Sequence, residues 1–90
     1  MNRTIITVVG KDTVGIIAAV CTYLAENQVN ILDINQSILQ EFFTMMMIVD
    51  INNSNVPFDE LREGLAKVGE AKGVQIKCQK EEIFNQMHRI

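Results

Sequence analysis

The segment Gly10-Lys11-Asp12-Thr13-Val14-Gly15 carries the residue types best suited to holding a small molecule. Its two glycines let backbone approach backbone, or a ligand, closely. A helix starting just after them exposes unpaired amides and a partial positive charge, which suits a carboxylate or another small anion. Asp12 can accept a hydrogen bond from an ammonium group, and an amino acid offers both groups. The same residues also serve as a turn glycine, a helix cap and a packing glycine with no ligand at all. Spacing alone leaves both uses open.

Other chemistry finds little support. Gly10 and Gly15 match the start of a phosphate-binding G-x-x-x-x-G-K-[ST] loop, but Ile16 and Ile17 stand where lysine and hydroxyl must be. His88 is the single histidine and sits near the chain end, so no histidine-based acid–base pair or metal cluster can be assembled. Asp59 and Glu63 lie four apart on one helix, and Glu81-Glu82 open another segment; both pairs read as solvated charges that complement helix dipoles. Lys11 in the first loop is the only hint of an acylphosphatase-like hydrolase, which uses an arginine there. No catalytic residue, metal site or cofactor is expected.

The elements that position the first loop follow from periodicity. Residues 3–9 are rich in β-branched side chains and end at Gly10, a strand signature. Asp12 or Thr13 can cap the next segment, in which Val14, Ile17, Ala18, Cys21, Leu24 and Ala25 recur at helical spacing to about Asn27. A second strand starts near Val29, with Leu32, Ile34 and Ile38 on one face. Gln40-Glu41 marks a hairpin into a third strand over 42–51. After the turn cluster 52–55, Pro57 suits the first position of a helix. Phe58, Leu61, Leu65 and Val68 line that helix, and Gly73 closes it. Val74, Ile76 and Cys78 alternate with polar residues in a last strand, and 81–90 predict a short tail helix.

The order β-α-β-β-α-β predicts an α+β, ferredoxin-like sandwich: a four-stranded antiparallel sheet with two helices on one face, over residues 1–80, plus the tail. The strands carry too much hydrophobe for a sheet covered on one side. In the third, Phe43, Met45, Met47 and Val49 make one face apolar, while Phe42, Met46 and Ile48 do the same for the other. The tail, a second subunit or both are expected to cover the second face or an edge. For ninety residues, apolar burial contributes about 140 kcal/mol against about 135 of chain ordering. A lone chain is therefore marginal, and a homodimer or larger assembly is expected.

Charge and cysteine use narrow the setting. Eight basic against eleven acidic residues leave a net charge of −3, which disfavours nucleic acid. No apolar run is long enough to span a membrane, and no signal peptide is recognisable. Cys21 and Cys78 form no CxxC pair and read as small buried hydrophobes in a reducing cytoplasm.

Gly10-Lys11-Asp12-x-x-Gly15-Ile16, with Asn30-Ile31-x-Asp33-Ile34 after the first helix, resembles the ACT domain family. The run Phe43-Thr44-Met45-Met46 is similar to that of its small stand-alone bacterial members, and the likeness covers residues 3–80. The resemblance implies a regulatory module that binds an amino acid or related carboxylate between subunits. Gly10, Asp12, Thr13, Gly15 and Ile16 would form one wall, and Asn30, Ile31 and Asp33 the other. The resemblance leaves open a ligand-free dimerisation module. What such a chain would regulate is an unknown partner protein.

Overall fold

The computed structural model describes residues 3–11 and 15–82. They form β1 (Arg3–Lys11), α1 (Ile16–Glu26), β2 (Asn30–Leu39), β3 (Phe42–Asp50), α2 (Phe58–Lys72) and β4 (Val74–Lys80). One antiparallel sheet runs β2-β3-β1-β4, the ferredoxin-like arrangement that the element order predicts. Asp12, Thr13 and Val14 lie outside the described residues. So does most of the predicted tail helix, residues 83–90.

Residues directly opposed in antiparallel strands share a face, so the register sorts the sheet. Ile6 faces Met47 and Cys78, and Val8 faces Met45 and Ile76. These side chains join Ile16, Val20 and Leu24 of α1 and Leu61 and Leu65 of α2 in one buried cluster, so both helices cover the same side. Cys78 is buried and Cys21 packs at the cluster edge, both as free thiols. Val9, Phe42, Met46 and Ile48 face the other way, with Val9, Phe42 and Met46 40–53% exposed. Ile5, in the same row, is only 5% exposed.

The first helix departs from expectation in two ways. Its N-cap is Gly15, with no side-chain cap, so neither Asp12 nor Thr13 holds that position. Its buried face is Ile16, Val20 and Leu24, whereas Ile17, Ala18 and Ala25 are exposed. The run 16–21 is apolar nearly all round, so two helical stripes fit it and only tertiary packing decides between them. The helix ends where Asn27 Nδ2 donates to the Tyr23 carbonyl at 2.9 Å and Gln28 takes φ 57°.

The second strand departs too. A bulge between Ile31 and Asp33 inserts Leu32 as an extra residue in the ladder with β3. Ile34 and Ile38 oppose Met47 and Phe43 and therefore point to the helix side, yet they are 42% and 57% exposed. The helices do not reach over this edge. The predicted hairpin forms at Gln40-Glu41, with Gln40 at φ 57°. Pro57 is the N-cap of α2, one position earlier than predicted, and Gly73 closes the helix at φ 72°.

Candidate functional site

The glycine turn is built by strand packing on one side and backbone geometry on the other. A Cβ at Gly10 would lie 2.8 Å from Val74 Cγ1 and 3.1 Å from Val74 Cα, so glycine lets β4 close onto β1 here. Gly15 takes φ 88°, a left-handed conformation that side chains disfavour. Its carbonyl accepts the first helical hydrogen bond, from the Ala19 amide at 2.9 Å. No acidic residue lies in the first turn of α1. The helix end therefore keeps its partial positive charge.

Lys72 adds to that charge. A Cβ on Gly15 would stand 3.4 Å from Lys72 Nζ, so the last residue of α2 brings its ammonium against the cap of α1. Sequence reasoning missed this residue. Its local signal, a basic group in a helix's last turn, points only to the dipole of its own helix. Ile16 is 2% exposed, so its side chain belongs to the core and leaves at most its backbone for a ligand.

The second expected wall lies elsewhere. Asn30 opposes Asp50, which opposes Arg3 at the start of β1, whereas Gly10 opposes Phe43 near the far end of β3. Seven residues of strand, about 23 Å, separate the two groups along the sheet. Asn30, Ile31 and Asp33 are all exposed on the β2 edge, and Asp33 Oδ1 accepts from the Ile34 amide at 2.9 Å. One chain does not bring the walls together.

Nucleophiles and metal ligands are sparse. Burial pushes the Cys78 thiol up to about 12, where it is protonated and inert at neutral pH. Burial, helped by Glu60, raises Tyr23, whose hydroxyl lies where a Cβ on Gly64 would be. Among the described residues no group of three or more His, Cys, Asp or Glu could hold a metal ion. Asp59 pairs with Arg62 at 3.5 Å on the exposed face of α2 rather than with Glu63 around a cation. No helix among the described residues is long and apolar enough to cross a membrane.

Comparison with known proteins agrees with this fold. A family profile described as the ACT domain matches residues 2–79. A UPF0237 protein of Bifidobacterium longum is 57% identical over 90 residues, covering all of both chains. A UPF0237 protein of the archaeon Methanocaldococcus jannaschii is 49% identical, again over the full length of both. The solved ACT domain protein from Streptococcus pneumoniae superposes with a TM-score of 0.80 at 42% identity, over 92% of this chain and 93% of that one. ACT domains are typically regulatory and bind small ligands. With the profile spanning nearly all of the sheet and both helices, this chain belongs to the ACT domain family.

Proposed function

We propose that the protein is a regulatory module that binds an amino acid, without catalysis, at a site shared by two copies of the chain. The observation that carries this is the separation of the walls: an anion-attracting turn at one end of the sheet, and the exposed 30–33 segment at the other. A two-fold partner joins them. β2 is an edge strand with open backbone groups, and antiparallel pairing with its own copy around Gln36 sets Ile34 against the partner's Ile38. Both residues lie on the helix side and are exposed in the single chain. That pairing turns residues 30–33 toward the partner's glycine turn.

In this arrangement the ligand carboxylate meets the amides near 13–16 under the field of Lys72. Asp12 and the partner's Asn30 hold the ammonium. Gly10 and Gly15 keep the turn open, while Ile31 and Asp33 complete the second wall. Residues 1–80 are the binding unit, and residues 81–90 are the tail that follows it. The unpaired cysteines fit a cytoplasmic setting. A charge-assisted hydrogen bond contributes about 1.5–3 kcal/mol, so Asp12→Ala weakens binding tenfold or more.

The test couples binding to assembly. Calorimetric titration with the free amino acids is run on wild type, Asp12→Ala and Gln36→Pro, with sedimentation of each. Gln36→Pro blocks edge pairing and is expected to give a folded monomer whose glycine-turn binding is lost. A wild type that gives no heat with any amino acid, or a monomer that binds at the turn as well as wild type, overturns the proposal. An alternative, a ligand-free dimerisation module, predicts that Asp12→Ala shifts melting while no amino acid does.

A further inference from the structure

A cavity of about 620 Å³ opens at the other end of β1, between the entry into α2 and the end of β4. Thr4, Lys80, Phe58, Val56, Glu81 and Glu82 are among the residues that line it. Thr4 and Lys80 oppose each other in register and so share the helix-side face. Thr4 is fully buried, and its hydroxyl has no hydrogen-bond partner among the described residues. A buried hydroxyl without a partner is destabilising, and valine fills the same volume without that cost. Threonine here calls for a partner that a ligand can supply.

The charges around the cavity define the ligand. The Lys80 ammonium sits 5.5 Å from the centroid of the Phe58 ring, against the cavity wall. Glu81 Oε2 meets Arg3 at 3.4 Å across the mouth, and Glu82 is exposed beside it. Two basic and two acidic side chains line the space, so neither a lone anion nor a lone cation is favoured. Asp59 and Glu60 already answer the dipole of α2 and Glu81 already pairs with Arg3, which leaves Thr4 and Lys80 as the groups that attract an anion.

We propose that this cavity binds a zwitterionic amino acid with an apolar side chain, at a second site distinct from the glycine turn. Its carboxylate accepts from the Thr4 hydroxyl and the Lys80 ammonium. Its ammonium donates to the carboxylates of Glu81 and Glu82, and its side chain rests on Phe58 and Val56. The volume falls within the range of small-molecule pockets. Every wall comes from one chain, so this site works in a monomer and does not depend on the shared site above.

The experiment is amide-shift titration of the labelled protein with L-leucine, L-methionine and L-phenylalanine. The one-charge analogues 4-methylpentanoate and 3-methylbutylamine serve as controls. Saturable shifts at Thr4, Phe58 and Lys80 are expected, at least tenfold weaker for either analogue and about tenfold weaker in Thr4→Val. They persist in Gln36→Pro, where glycine-turn binding is lost. Lys80→Met, on an exposed side chain, gives the same weakening by removing the second anion contact. The proposal is overturned if none of the three amino acids moves these amides. It is also overturned if shifts appear only at residues 15–16 and 30–33, or if both variants bind like wild type.

Discussion

The two ends of β1 present opposite solutions to holding a small molecule. At Gly10 the strand runs into a turn whose described groups attract anions: a helix whose first turn holds no acidic residue, and the Lys72 ammonium beside Gly15. Residues 30–33, the other expected wall, are at the far end of the sheet. At Thr4 the strand borders a half-open cavity with balanced charge and an unsatisfied hydroxyl. One end has a field without a container, and the other a container without a net field. In the functions proposed above, the first end therefore needs assembly to bind, while the second needs only a single chain.

The largest expected effect comes from exchanging what the two ends tolerate. Gly10→Val places a Cβ 2.8 Å from Val74 Cγ1 and near the Val74 backbone, forcing β4 away from β1. The cost is about 3 kcal/mol, read from urea denaturation. Thr4→Val, six residues earlier on the same strand, removes an unpartnered hydroxyl and is expected to raise stability by about 1 kcal/mol. Equal losses at both positions would erase the contrast between a packed end and an unfilled one.

Sequence and structure agree where burial follows a strict period. The alternation Phe43, Met45, Met47, Val49 stands out because period two admits one inward face, and that face is buried. The stripe of α1 was ambiguous because residues 16–21 are almost uniformly apolar, so the inward choice of Ile16 and Val20 needed the sheet beneath them. The bulge at Leu32 was not legible, because it leaves no residue pattern here. The turn glycines were visible as types. That Gly10 is required by Val74, and that Lys72 lies beside Gly15, depends on contacts some sixty residues apart in the chain. The cavity at Thr4 was missed altogether, since a lone threonine in a β-branched run looks like an ordinary strand residue.

Between the two ends, opposite Ile6, lies Cys78, and its burial gives a pH-dependent measure of the intact sheet. Its folded value of about 12 stands above the ordinary 9.0 of a thiol, so the folded state holds the proton more tightly. That contribution is fully present below pH 9 and is lost as pH rises toward 12. Tyr23, also raised by burial, acts in the same direction. Stability in urea is expected to fall above pH 9, with a slope from this thiol of at most about 1.4 kcal/mol per pH unit. Cys78→Ala should flatten that part of the slope. An unchanged slope would mean that the thiol is not desolvated in the centre of the sheet.

The smallest effect on the fold separates the two ends most sharply. Lys72 lies in the last turn of α2, where its charge complements the dipole, so Lys72→Met costs about 0.3–1 kcal/mol of stability. The same ammonium stands beside the cap of α1, and its removal takes away the positive charge that α2 contributes to the glycine turn. Amino-acid affinity at that turn is expected to drop about tenfold, equivalent to about 1.4 kcal/mol. Shifts at Thr4 and Phe58 should stay as in wild type, because their anion contact is Lys80 at the opposite end of the sheet. Were Lys72→Met to weaken both sets of shifts alike, the ends would be coupled through α2, which starts at one and finishes at the other.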